Sequence, residues 1–352
     1  MLAHEFDVDK AVYETFKVAE SKRGLEDSFS HHAPIYLGPT GNTKDAVKFY
    51  TKDKKIDRAL VVGSQGSFAY ELALKNVLEI DCFDKNILQY LFFALSDAAI
   101  RNVDFKEFIY NFTSKKITQN EQRYEHILSD WIFFEVLDEM GRNEAEYWTK
   151  IYRSGKFHSL LGSELFRTYY PFFVETLRSL SSVYTKEGYE RLQHLLNTNK
   201  VKINYHICDI DELHREFAGE KYELMMYGNI LQYYNQIPSL DNVGAVNRYL
   251  KDKMTPMLTD NGQIQLCYGF EIVADAVKEL LNIGEVEKPK DISEFSMRMG
   301  IESDKKNGYI SNVIKKYGVG EDSPYSLEFI RAAEENDGHL KAKNVLLTYK
   351  PR

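Results

Sequence analysis

Residues 58–86, RALVVGSQGSFAYELALKNVLEIDCFDKN, decide the fold. Ala59-Leu60-Val61-Val62 is a short continuous apolar run, the form taken by a strand covered on both faces. It stops at Gly63-Ser64-Gln65-Gly66-Ser67, where glycine lets the backbone turn tightly and approach a ligand without a Cβ in the way. A helix-like stretch, Phe68 to Asn76, follows. The next apolar run, Val77 to Phe83, ends in Asp84-Lys85-Asn86. Strand, glycine turn, helix, strand and acid in that order open a doubly wound sheet.

The same alternation resumes far downstream. Val201 to Asp209 alternates and ends in an acid, and Tyr222 to Asn229 is another strand candidate. A helix from about Asn242 to Leu258 leads to the turn Thr259-Asp260-Asn261-Gly262, then to a strand over Gln263–Tyr268. A last strand, Asn344 to Tyr349, closes the pattern. Between Ile87 and about Asn199 apolar residues recur at helical spacing and no run reads as a strand. That block is too long for one crossover helix, so its later part is read as an insertion. The expected architecture is α/β: a doubly wound, mostly parallel sheet with a large helical insertion between strands 2 and 3. The expected divisions are a helical lead-in over 1–57, a sheet domain from 58–104 and 200–352, and the helical insertion over 105–199, a lid or acceptor region at the carboxyl edge.

Composition narrows the classes of partner. The 352 residues are 43% hydrophobic and 28% charged, as in ordinary globular chains. Lys and Arg number 45 against 53 Asp and Glu, a net charge of −8, so the chain lacks the field that draws proteins to nucleic acid or anionic membrane. Charge runs such as Lys52 to Lys55 read as solvated faces. The three cysteines, Cys82, Cys208 and Cys267, lie far apart in apolar stretches and read as buried small hydrophobes in a reducing compartment. The amino-terminal residues show no signal-peptide pattern. The most apolar stretch, Ile87 to Ile100, is broken by Gln89, Ser96 and Asp97 and falls short of a membrane span. These features imply a cytoplasmic protein. His31-His32 has no carboxylate partner at metal-ligand spacing, so no metal is expected.

In an open parallel sheet, ligands bind outside the carboxyl ends of the strands near the switch point. Here those ends carry Gly63 to Ser67, Asp84, Asp209 and Asn229. The helix beginning near Ser67 aims its free N–H groups at that space. Asp84 follows Gly63 by 21 positions, close to the offset of roughly 20 at which an acid meets ribose hydroxyls. A carboxylate suits a vicinal diol because it accepts two hydrogen bonds at once. Asp209 is placed to accept from an exocyclic adenine amine. Each residue also has a plain structural reading: the glycines as an ordinary strand-to-helix turn, and Asp84 as a helix N-cap. Taken together, the strand ends favour an adenosine-containing ligand.

The motifs resemble those of the Rossmann-like S-adenosylmethionine-dependent transferases. VVGSQGS looks like the glycine-rich first motif, DCFDKN like the acidic end of the second strand, and HICDI like the adenine-side acid. LMMYGNILQYY looks like the fourth-strand motif, and MLTDNGQIQLCYGF like the turn into the fifth strand. More narrowly, IDCFDKNILQYLFFALSDAAIRNVDFKEFIYNF and IYRSGKFHSLLGSELFR are similar to segments of the betaine-lipid 3-amino-3-carboxypropyltransferase family. The resemblance spans most of residues 58–270. It implies S-adenosylmethionine as cofactor, held by Gly63, Ser64, Gln65, Gly66, Asp84, Asn86, Asp209, Ile210 and Asn229. It also implies a small-molecule or lipid acceptor near Asn229 and Tyr233, the two candidate catalytic residues. The first motif, G-S-Q-G-S, departs from the usual G-x-G-x-G.

Three carbons flank the sulfonium, and the one presented in line with the acceptor fixes the reaction. Presenting the methyl gives methyl transfer; presenting the methionine chain gives aminocarboxypropyl transfer, which the narrower resemblance favours slightly. A tyrosine face attracts a sulfonium, which puts Tyr233, Tyr234 and Tyr268 in view, although aromatic side chains also simply fill cores. His206, mid-strand, reads as a hydrogen-bonded core histidine before it reads as a general base. A non-catalytic binding protein of the same fold stays open. A nicotinamide oxidoreductase is weak because G-x-G-x-x-G is missing.

Overall fold

The computed structural model describes residues 5–20, 43–52, 54–112, 114–116, 124–126, 135–156, 174–228, 250–268, 325–331 and 345–351. Seven strands join in one sheet: β1 (Arg58–Val62), β2 (Glu79–Asp84), β5 (Lys202–Ile207), β6 (Tyr222–Met226), β7 (Leu258–Tyr268), β8 (Tyr325–Arg331) and β9 (Val345–Pro351). Their hydrogen-bonded order is β5-β2-β1-β6-β7-β9-β8. The first five of that order run parallel, and β9 runs against both of its neighbours. The order β5-β2-β1-β6-β7 is the 3-2-1-4-5 of a Rossmann-like doubly wound sheet. It reverses after β1, so the carboxyl end of β1 is the switch point. That end is the glycine turn.

The chain forms two compact units, Met1–Asp57 with Val62–Ile210, and Arg58–Val61 with Asp211–Arg352. In the first, β2 and β5 pair in parallel with Asp84 opposite Ile207. Their alternating residues Ile80, Cys82, Ile203 and Tyr205 are buried. α3 (Ser67–Leu74) and α4 (Ile87–Asn102) pack on β2. α4 is buried from Leu88 to Ile100, which explains an apolar stretch too short and too interrupted for a membrane. Its last carbonyls are satisfied from α8 (Lys186–Asn197): Gln193 Nε2 donates to Ile100 O and Val103 O, and Tyr189 Oη to Val103 O at 2.8 Å.

Residues between β2 and β5 add three further supports. Trp148 of α6 (Arg142–Arg153) donates from Nε1 to Leu91 O at 3.0 Å, inside the buried length of α4. Tyr147, its neighbour, meets Thr15 Oγ1 of α1 (Val8–Glu20) at 2.8 Å. Glu71 of α3, almost fully buried, accepts from Ser181 Oγ at 2.8 Å and from the Ser182 N–H. The second bond satisfies the start of a 3₁₀ turn, Ser182–Tyr184.

In the second unit, β1 pairs with β6 through Ala59–Leu224 and Leu60–Met225, all four buried. Arg58 donates its backbone N–H to Glu223 Oε2 at 2.8 Å, and its guanidinium reaches Glu220.

The structure departs from the sequence reading in four places. Residues 259–262 are not a turn before a strand: β7 runs through them, and its pairing with β6 jumps from Tyr222–Leu258 to Leu224–Gln263. The turn-forming residues were absorbed as an irregularity within the strand. The helical insertion carries a short antiparallel hairpin, β3 (Ser114–Lys116) with β4 (Tyr124–His126). β8 had no counterpart in the sequence reading. Of the helix expected over 242–258, the described part is a π-helical turn, Leu250–Met254, followed by a 3₁₀ turn, Thr255–Met257.

Among the described residues no helix is long and apolar enough to cross a membrane, and no cluster of His, Cys, Asp and Glu has the makings of a metal site. Cys82 and Cys208 are buried free thiols.

Candidate functional site

The glycine turn closes on itself. Gly66 N–H donates to Gly63 O at 2.8 Å, and Ser64 and Gly66 take left-handed backbone conformations with φ of 40° and 92°. For Gly66 such a φ is cheap; for Ser64 it is strained. Gln65 and Ser67 hydrogen-bond side chain to side chain and are both buried. α3 starts at Ser67 with no side-chain cap, so its first N–H groups are left to other partners.

The two glycines are required by what lies behind them. A Cβ on Gly63 would come within 2.4 Å of the Tyr205 ring, and one on Gly66 within 2.8 Å of the rings of Phe93 and Tyr70. Tyr205 is itself locked, its ring 4.8 Å from Phe93 and 5.3 Å from Tyr90 between centroids. Its hydroxyl donates to Ser64 O at 3.2 Å. Burial and the nearby Asp84 carboxylate keep that phenol protonated, and therefore a donor.

Asp84 ends β2 beside this turn, since Gly63 N–H donates to Phe83 O at 2.7 Å. Its Oδ1 accepts from Asn86 N–H at 2.9 Å, and the carboxylate also accepts the backbone N–H of Ser64. Burial outweighs those donors and Lys85, so the acid is pushed up to about 6, with Asp209 adding a small push the same way. An ionised carboxylate offers about four acceptor positions. Two backbone donors leave capacity for a diol.

Asp209 lies just past the end of β5, drawn alongside by the Cys208 N–H donating to Asp84 O at 3.1 Å. Lys85 Nζ stands 3.7 Å from its Oδ2, and both side chains are substantially exposed. Ile210, next in the chain, is buried. Asn86 is the N-cap of α4, its Oδ1 accepting the Leu88 N–H at 3.0 Å, so the cap expected of Asp84 belongs to Asn86.

The structure thus brings Gly63, Ser64, Gln65, Gly66, Asp84, Asn86, Asp209 and Ile210 to one edge of the sheet. Asn229, Tyr233 and Tyr234 fall outside the described residues, as does His31-His32. Tyr268 belongs to β7. His206 is half-buried on the opposite face of β5 from Tyr205, its Nε2 3.6 Å from the buried carboxylate of Asp81, which also accepts from Asn204 Nδ2 at 2.8 Å. That is a core histidine's setting.

Sequence reasoning missed Tyr205, the residue that shapes the turn. The signal was present: the alternation that made β5 legible also puts Tyr205 on the face of Ile203, towards the helices.

No protein-family model matches the sequence, and neither does any curated protein. Among solved structures the chain is similar to the plantazolicin methyltransferase BpumL in complex with SAH, at 8% identity and a TM-score of 0.31, over 98% of this chain and 94% of that one. It is also similar to the methyltransferase domain of a bacterial Hen1, at 8% identity and 0.34, over 88% and 97%. A precorrin 8w decarboxylase of Methanobacterium thermoautotrophicum matches at 11% and 0.27, over 88% and 89%. Likeness this distant carries no argument about activity, and the fold rests on the strand order itself.

Proposed function

We propose that the chain is an S-adenosylmethionine-dependent transferase, with 3-amino-3-carboxypropyl transfer to a small or lipid acceptor ahead of methyl transfer. One observation carries the reading. The carboxylate that closes β2 sits against the turn that closes β1, at the switch point, with spare acceptor capacity and a second acid on the next strand. A nucleoside needs that arrangement: a diol acceptor, an adenine-side acceptor, and a turn tight enough to pass beneath.

In this reading Asp84 holds the ribose hydroxyls. Asp209 and Ile210 hold the adenine, one by hydrogen bonding and one by apolar contact. The turn Gly63–Gly66 and the uncapped start of α3 face the methionine end. When bound, the sulfonium supplies an activated carbon: the acceptor's lone pair forms the new bond as the C–S bond breaks and its electron pair leaves on a neutral thioether. The protein's part is to orient the acceptor in line and to exclude water. Asn229 and Tyr233 are assigned to that work, and residues 105–199 to the acceptor side. The protein is assigned to the cytoplasm and given no nucleic-acid partner, on its acidic charge and its cysteines.

Calorimetric titration with S-adenosylhomocysteine tests the cofactor. Micromolar binding that Asp84→Asn weakens by roughly 10- to 100-fold is expected; no heat with the wild-type chain refutes the reading. Turnover with candidate acceptors separates the reactions: methylthioadenosine marks transfer of the methionine chain, S-adenosylhomocysteine marks methyl transfer.

A second reading has its own support. Aromatic packing already accounts for both glycines, and the backbone already engages Asp84. A binding protein without catalysis would keep all of these. It would bind the nucleoside and release no product with any acceptor.

A further inference from the structure

Ser64 is the non-glycine residue of the turn that sits in the left-handed region, with φ of 40°. A side chain there is strained, and such a residue persists only where its surroundings over-determine it. Here both peptide planes beside Ser64 are held. Its N–H, in the plane shared with Gly63, donates to the Asp84 carboxylate. Its carbonyl, in the plane shared with Gln65, accepts from Tyr205 Oη at 3.2 Å. Peptide planes are rigid, so the angle between these two is set by φ and ψ of Ser64 alone. The two hydrogen bonds therefore fix that pair of dihedrals between them. With the carbonyl released, Ser64 can relax towards ordinary backbone and turn its N–H away from the acid.

Tyr205 is suited to hold the carbonyl end. It pairs across the strands with Cys82, two residues before Asp84, and its ring lies against Gly63. The ring is buried and cannot retreat, because Phe93 and Tyr90 stand against it. Tyr90 is anchored in turn, its hydroxyl donating to Oε1 of the buried Glu144 in α6. At the other end, Asp84 also feels the Asn86 N–H, Lys85 and Asp209. None of those three belongs to the turn.

We propose that Tyr205 is a positioning residue for the acid at the end of β2: its hydroxyl holds the Ser64 carbonyl, keeps Ser64 left-handed, and so keeps the Ser64 N–H on Asp84. The phenol thereby helps set which acceptor positions of the carboxylate the backbone takes and which stay open to a ligand. That this ligand is a ribose diol rests on the nucleoside reading above; the link from Tyr205 to Asp84 does not.

A cycle of Tyr205→Phe and Ser64→Gly in the full-length protein tests it, with Asp84 followed by carboxyl-carbon NMR as pH is varied. Tyr205→Phe keeps the ring against Gly63, so the melting temperature should fall by no more than about 5 °C. Asp84 loses hydrogen bonding to its charged form, and its titration midpoint should rise by about half a pH unit. S-adenosylhomocysteine affinity at pH 7.5 should drop about three- to tenfold. Ser64→Gly removes the strain, since glycine takes this φ freely. In that background Tyr205→Phe should move the midpoint by less than about half as much. A midpoint unmoved by Tyr205→Phe leaves the phenol a space-filling role and overturns the proposal, whether or not the nucleoside binds. An equal shift in both backgrounds means that the phenol acts on Asp84 through its own dipole and not through Ser64, and overturns it as well. If the cycle behaves as expected but S-adenosylhomocysteine fails to bind the wild-type chain, the nucleoside reading falls and the positioning role stands.

Discussion

Asp84 and Asp209 are the same residue type at the ends of adjacent strands, yet they are held in opposite ways. Asp84 is fixed by the backbone N–H groups of Ser64 and Asn86, and burial raises its pKa to about 6. Asp209 stands 3.7 Å from the Lys85 ammonium, in partial solvent. The first is a preformed acceptor whose geometry the fold has set. The second carries an exposed ion pair with Lys85, of the kind that is worth little. Identical chemistry at the end of a strand therefore does not imply an identical role; the partners decide.

The sharpest way to break this contrast is to disturb what fixes the first acid. Gly63→Ala drives a Cβ into a Tyr205 ring that Tyr90 and Phe93 keep from retreating. Urea unfolding should show a loss of about 2–3 kcal/mol. Combining it with Tyr205→Leu should recover much of that loss, because the two changes share one contact. Next in size is Asp84→Asn. It removes the charge from the diol acceptor and should weaken S-adenosylhomocysteine by roughly 10- to 100-fold in calorimetry. Stability should barely fall, since the amide oxygen still accepts a backbone N–H and the cost of burying a charge is relieved.

Asp84 also carries a titration that the fold has moved. The folded pKa of Asp84, about 6, lies above the 3.8 of an ordinary aspartate. The folded chain thus keeps a proton that the unfolded chain releases between those values. The stability Asp84 contributes is full below about pH 4 and is lost as pH rises through 6. Nucleoside affinity runs the other way, because the diol needs an ionised acceptor. At pH 5 S-adenosylhomocysteine should bind about tenfold more weakly than at pH 7.5, and Asp84→Asn should flatten that slope. An unchanged slope in the variant would assign the titration to another group.

The sheet was legible because its strands are short apolar runs bounded by strong turn signals, and Gly63 and Asp84 mark the ends of two of them. The placement of Asp209 followed from the same logic. The hairpin at 114–126 was not legible: Ser114–Lys116 and Tyr124–His126 are three residues each, too short for a period to register. The turn over 259–262 misled because Asp, Asn and Gly suit an irregularity within a strand as well as a turn between elements. At the site, the sequence pointed to the glycines but not to their cause. Tyr205, 142 positions from Gly63, touches it only once β5 stands beside β2.

The smallest expected effect is the most specific to the contrast. Lys85→Ala removes the cation beside Asp209 and one of the influences lowering Asp84. An exposed pair at that distance is worth little, so urea unfolding should move by less than about 0.5 kcal/mol. The two acids should nevertheless respond differently. Asp209, released from its lysine, becomes freer to meet the adenine amine, while Asp84 loses a favourable charge and its midpoint should climb by a few tenths of a pH unit. At pH 7.5, where Asp84 is ionised in either protein, S-adenosylhomocysteine affinity should stay within about twofold of the wild type. At pH 5.5 it should fall measurably below it. A uniform loss at both values would mean that Lys85 contacts the ligand itself, and that the adjustable end of the site is the lysine rather than Asp209.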